Sequence, residues 1–96
     1  MSEQASDADR FMAQVERIAR AHPQLTQLQA ALVAAALLGI AHDSRSFARM
    51  LGLAHALVLR ELNALAEMDG FVAVTRRDAR TMRTFYAAAA GLLEAA

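Results

Sequence analysis

One tight turn constrains this chain more than any other feature. At Gly52 two helix-patterned segments meet, a short one over 45–51 and a longer one over 54–69. Ala48 is small where two helices must approach closely, Gly52 admits a left-handed backbone, and Val58 points back into the angle between them. The spacing predicts two packed helices joined by a sharp bend. Asp43 and Ser44 offer a cap for the first, and Gly70 stops the second.

The flanking sequence extends this unit on both sides. Ser6 caps a first helix with Asp7 and Asp9 in its opening turn, where negative charge suits the helix dipole. Its apolar stripe is Phe11, Val15, Ile18 and His22, and Pro23 ends it. Thr26 and Gln29 have capping-box spacing and open a helix that runs through Leu28, Leu32, Ala35 and Leu38 to Gly39. Val33, Leu37 and Ile40 make that helix apolar nearly all round, so it is expected at the centre of the fold. After Gly70 the period changes. Phe71-Val72-Ala73-Val74 reads as a strand, 75–80 as a polar turn, and 81–87 as the returning strand with Phe85 and Tyr86 on opposite faces. A short helix interrupted by Gly91 is expected over 88–96.

Composition excludes several classes. With no cysteine there is no disulfide, thiolate metal site or cysteine nucleophile. A hydrophobic content of 56% with 1 Pro and 4 Gly is too apolar for a disordered chain. The start is polar and acidic, unlike a signal peptide, and the apolar run over 30–41 is too short to cross a bilayer. No membrane association and a cytoplasmic location are expected. Ten basic and ten acidic side chains cancel, yet they are unevenly placed. Glu3, Asp7, Asp9 and Glu16 lie early, whereas Arg76, Arg77, Arg80 and Arg83 crowd one late segment, and there is no lysine.

Three helices with a short-turn-long middle pair, followed by a hairpin, form the helix-turn-helix plan whose second helix enters the major groove of DNA. The expected fold is α+β, mainly α: a winged helix-turn-helix with a three-helix core and a β-hairpin wing. It carries an extra N-terminal helix and a short C-terminal one. The whole of 1–96 is read as one domain, with the extra helix over 6–22 and the winged core over 24–87.

The matching pieces are Leu25-Thr26 with Gln29, Phe47-Ala48-Arg49-Met50-Leu51-Gly52-Leu53, the stretch 65–72, and Asp78-Ala79-Arg80. On these the chain resembles the MarR family of winged-helix regulators over 25–91. The resemblance implies that Asp78 shapes the wing, that Arg80 reaches the DNA backbone or minor groove, and that the protein is a homodimer on a palindromic site. It departs from the family where Tyr86-Ala87-Ala88-Ala89-Ala90-Gly91 lacks a threonine and is longer by one residue. Only a stub follows Gly91 in place of long dimerisation helices, and the second motif helix is unusually apolar.

Candidate contacts follow from helical geometry. With Val58 inward, Ala56, Arg60, Asn63 and Glu67 turn outward and Leu59 lies on the flank. Arg60 and Asn63 can bond guanine and adenine edges, and Ala56 and Leu59 can touch thymine methyls. Arg45, Arg49 and His55 flank the motif and can hold phosphates, as can Arg76, Arg77 and Arg80 in the wing. Arg83 is a weaker candidate because it falls in the strand. Phe11, Val15 and Ile18 are expected across a dimer axis, with covering of their own domain as the alternative. The reading is a sequence-specific duplex-DNA regulator, in such families more often a repressor. The alternative is a winged helix for protein interaction, with a patch around Leu57 and Leu59. The histidines 22, 42 and 55 share no face, so no metal site is expected. Serines 44 and 46 read as caps without a histidine–acid pair nearby, so no catalytic residue or cofactor is expected, and an effector pocket stays open.

Overall fold

The computed structural model describes residues 6–90 and 92. They form four helices and one antiparallel hairpin: α1 (Asp7–Ala21), α2 (Gln27–Leu37), α3 (Ser44–Leu51), α4 (His55–Ala66), β1 (Val72–Asp78) and β2 (Arg83–Ala88). The mainly helical α+β architecture expected from the sequence is the one observed.

The caps are those the side chains dictate. Ser6 Oγ accepts the Asp9 N–H at 3.1 Å. Thr26 Oγ1 accepts the Gln29 N–H while Gln29 Oε1 accepts the Thr26 N–H, both at 3.0 Å, closing the capping box of α2. Asp43 caps α3 by accepting the Ser46 N–H at 2.9 Å. Gly52 ends α3 in the left-handed region, φ 67°, a conformation that costs an L-residue with a side chain about 1 kcal/mol or more. Its neighbour Leu53 returns a backbone N–H to the Ala48 carbonyl at 2.9 Å. α4 has no side-chain cap, since Ala54 stands at its start.

The core surrounds α2, whose residues from Gln29 to Ala36 are all buried. Small alanines at 30, 34 and 35 let neighbouring elements close in, while Leu32 and Val33 fill volume. Phe47 from α3 and Val58, Leu62 and Leu65 from α4 complete this centre. α1 lies on α2 and buries Phe11, Val15 and Ile18 there. Those three side chains were expected to face a partner across a dimer axis. They cover their own domain instead, and a stripe already out of water in one chain has little apolar area left to offer another. At the end of α1 the His22 ring meets Phe71 edge-on, centroids 5.0 Å apart.

Several boundaries shift from expectation. α2 stops at Leu37, two residues before Gly39. α4 ends at Ala66 rather than 69, because the N–H groups of Glu67 and Met68 turn to nearer carbonyls and tighten the last turn. The larger change is in the hairpin. The polar stretch from Thr75 is strand, not turn: β1 continues to Asp78 by bulging at Thr75, so that Val74 pairs with Tyr86 and Arg76 with Phe85. The turn itself occupies 79–82, and β2 runs on through Ala88, where a helix was expected. The rest of that expected C-terminal helix lies largely outside the described residues, although Leu92 is buried in the core.

β2 is held to the helices as well as to β1. The Tyr86 N–H donates to the His42 carbonyl at 2.9 Å, and Asp43 pairs with Phe85. Tyr86 is 1% exposed, and its hydroxyl donates to the Leu32 carbonyl at 2.8 Å. Burial, with the nearby Asp43 charge, pushes its phenol well above the ordinary range. The strand that carries the hairpin's polar tip is therefore rooted in the middle of the core.

Candidate functional site

α4 sorts its residues by helical phase. Val58, Leu62 and Leu65 face the core, while Ala56, Arg60, Asn63 and Glu67 are exposed and Leu59 is half-buried. The hairpin lies beside this outer face. Arg77 Nη2 donates to Asn63 Oδ1 at 3.3 Å and bridges β1 to α4. One expected α4 contact, Asn63, and one expected hairpin arginine, Arg77, are thus neighbours.

Each hairpin arginine has its own support. The Arg76 guanidinium sits 4.2 Å from the centroid of the Phe85 ring, its cross-strand partner, and stays exposed. Arg80 is exposed at the turn, where its backbone N–H donates to Asp78 Oδ1 at 3.0 Å. Asp78 so closes the turn with its side chain. Thr81 Oγ1 accepts the Arg83 N–H at 3.2 Å on the other side. Met82, between them, is 60% exposed and holds a positive φ of 62°.

Arg45, expected on phosphate, braces the hairpin. Its Nε and Nη2 both donate to the Thr81 carbonyl, at 3.0 and 2.7 Å, and so fasten the turn to α3. Arg49, one helical turn on, is exposed on the same side of α3. Arg83 turns toward the protein: its Nε lies 3.4 Å from Asp43 Oδ2, an ion pair without hydrogen-bond geometry. Burial works to raise the Asp43 pKa, but hydrogen bonds from Ser46, the Arg83 charge and the Arg45 N–H outweigh it and hold the carboxyl below its ordinary range.

His55 is the least expected placement. Its Nε2 lies 2.7 Å from Ser44 Oγ, and that oxygen also accepts the Thr84 N–H at 2.9 Å. Ser44 reads from the sequence as a cap without a histidine–acid pair nearby; the structure sets His55 against it across the tight turn. The pair has the atoms of a nucleophile and base, yet Ser44 is fully buried and its oxygen is already engaged by Thr84. The residues that sequence reasoning missed, Ser44, Thr84 and Phe85 as supports, carry no local signal. Ser44 sits 11 positions from His55 and 40 from Thr84, and Phe85 meets Arg76 across the strands.

Several acids near this surface are occupied, while Glu67 stands exposed on the same face of α4. Asp43 pairs with Arg83, Asp78 holds the turn, and Glu61 accepts a bond from Thr26 Oγ1 at 3.1 Å. What stays available is a set of planar arginine donors with one amide, the chemistry suited to phosphates and base edges. The large apolar side chains with substantial exposure lie mostly elsewhere. Phe11, Ile40, Met50 and Leu51 line an open groove of about 410 Å³ beside the start of α1, and Met12 and Leu51 line the groove next to it. Leu59 is half-buried and so is Leu57, so neither forms an exposed patch. No helix among the described residues is long and apolar enough to cross a membrane. No family model, curated protein or solved structure matches the chain.

Proposed function

We propose that this protein is a winged helix-turn-helix regulator that binds duplex DNA, with α4 as the recognition helix in the major groove and the β1–β2 hairpin as the wing on the backbone or minor groove. One observation carries the reading: exposed Asn63 of α4 and exposed Arg77 of the hairpin are bonded to each other, and Arg60 on the same helix and Arg76 and Arg80 on the same hairpin are also exposed. Its supports are internal. The Phe85 ring orients Arg76, Arg45 braces the turn, and Asp78 shapes it. Arg60 and Asn63 are placed to read base edges, and the wing arginines to neutralise phosphates. Arg49 adds a phosphate contact from α3, while Arg45 acts chiefly by holding the wing.

The resemblance to MarR-type regulators belongs to the same proposal, as does a homodimer on a palindromic site that represses more often than it activates. With Phe11, Val15 and Ile18 buried in their own chain, the exposed Met12, Ile40, Met50 and Leu51 offer apolar side chains to a second copy. The protein-interaction reading needs an apolar α4 surface, and the half-burial of Leu57 and Leu59 gives it little support.

The test is fluorescence anisotropy with labelled duplex DNA over a range of salt. Wild type is compared with a variant carrying Arg76→Ala, Arg77→Ala and Arg80→Ala, checked for folding by circular dichroism. Wild type should bind with a steep salt dependence, because each phosphate contact contributes about 0.9 to the slope of log K against log salt. The variant should lose up to about three such contributions. A folded wild type that fails to bind any duplex at low salt overturns the proposal.

A further inference from the structure

His55 stands first in α4, where the sequence places it among the phosphate contacts. We propose that it is instead a positioning residue: neutral His55 accepts the hydroxyl proton of buried Ser44 and so ties the start of the recognition helix to α3 and to the second strand of the wing. Its functional consequence rests on the DNA-binding reading above.

The argument is a count of protons and lone pairs. A serine hydroxyl has one proton to give and two lone pairs to receive. The Thr84 N–H occupies one lone pair of Ser44 Oγ at 2.9 Å, in a fully buried place. The acceptor near enough for the hydroxyl proton is His55 Nε2 at 2.7 Å. That bond requires an unprotonated Nε2, so the ring proton resides on Nδ1. One hydroxyl then joins three elements: the first turn of α3, the backbone of β2 and the first residue of α4. Ala54 supplies no side-chain cap, so this tie is the side-chain bond that fixes the start of α4 to its neighbours.

The surrounding charges favour the same state. Burial comes first in holding His55 below its ordinary value of 6.5, followed by Arg45 from α3 and Arg83 from β2, with Asp43 acting the other way. A protonated ring would present Nε2–H to an oxygen that already accepts from Thr84. The Ser44 proton would then be left without its acceptor in a dry site, at the cost of an unsatisfied buried donor. Acid therefore loosens the start of α4 against the wing, and DNA affinity should fall with it. A histidine that touched phosphate would behave oppositely, since protonation adds a favourable charge at the backbone.

Two measurements decide the matter. In free wild-type protein, imidazole nitrogen shifts should report a proton on Nδ1, a bonded Nε2, and titration below 6.5. An Nε2–H ring, or titration at or above that value, overturns the proposal whether or not DNA binds. The second measurement is duplex affinity from pH 8 to 5 at constant salt, for wild type and His55→Gln, whose Oε1 can accept the Ser44 proton but cannot titrate. Wild type should lose about threefold or more in acid relative to the variant. An affinity that rises in acid only in wild type, or identical profiles, rejects the positioning role. Failure of both proteins to bind any duplex at any pH overturns the DNA-binding reading, and the imidazole shifts then still judge the tie.

Discussion

The two ends of the hairpin are built from the same pair of strands and have opposite fates. At the base, Tyr86 and Thr84 are buried and bonded to the helical half: Tyr86 hydroxyl to Leu32, Thr84 N–H to Ser44, and Tyr86 N–H to His42 in the α2–α3 connection. At the tip, Arg76, Arg77, Arg80 and Met82 stand in water, and the bonds there run within the turn, from Arg45 to its backbone, or from Arg77 to Asn63. The bulge at Thr75 separates the two regimes by changing the strand's alternation between Val74 and Arg76. The difference teaches that a strand can be core and site at once, provided rigidity at one end is delivered to the other through backbone contacts.

The comparison breaks most readily at the base. Tyr86→Ala should cost about 3–5 kcal/mol of stability by cavity formation and loss of the Leu32 bond, measured by urea denaturation. Tyr86→Phe, which removes the hydroxyl alone, should cost about 1–2 kcal/mol. If either is silent, the base is not the anchor described. At the tip the expectation reverses. The variant lacking Arg76, Arg77 and Arg80 should keep its stability within about 0.5 kcal/mol while DNA affinity falls at least tenfold. A comparable loss of stability would mean that these side chains are structural.

Smaller effects sharpen the boundary between the two regimes. Met82→Gly should stabilise the fold by about 1 kcal/mol, because glycine takes the positive φ without a side-chain clash. Thermal unfolding reads this directly, and a destabilised variant would mean that the Met82 side chain packs against something after all. Asp43→Asn keeps an α3 cap and removes the charge opposite the one-third-exposed Arg83, so it should cost about 0.5–1 kcal/mol. The pH dependence has a definite sign. The folded carboxyl is held below 3.8, so its contribution is fully present above that value and disappears as pH falls through the lowered folded value. Asp43→Asn should therefore flatten that part of the acid-stability curve.

Much of the helical half was legible because its determinants are local. Ser6, the Thr26–Gln29 box, Asp43 and Gly52 act on backbone groups within three or four positions, and each occurs where its spacing placed it. The exposed side of α4 was legible for the same reason, since helical phase follows from Val58 alone. The hairpin was read less well. Nothing in Thr75-Arg76-Arg77-Asp78 advertises a strand, and its pairing with 83–86 depends on a bulge and on the Phe85 ring beneath Arg76. The apolar stripe of α1 was identified correctly as a stripe, but amphipathicity does not say whether the surface it seeks belongs to the same chain.

By itself the sequence determined where helices start, which faces are apolar, that a β segment follows Gly70, and that four of the chain's arginines cluster late. These are properties of neighbouring residues, set by backbone hydrogen bonding and side-chain periodicity. Only the tertiary structure decided that Ser44 meets His55 and Thr84, that Arg45 holds the turn, that Arg77 reaches Asn63, and that Phe11, Val15 and Ile18 turn inward. The physical reason is range. A cap or a stripe is specified within one helical turn, whereas these contacts join residues brought together when the apolar surface around α2 closes. Burial drives that closure, and it does not encode which polar side chains will find each other once it is complete.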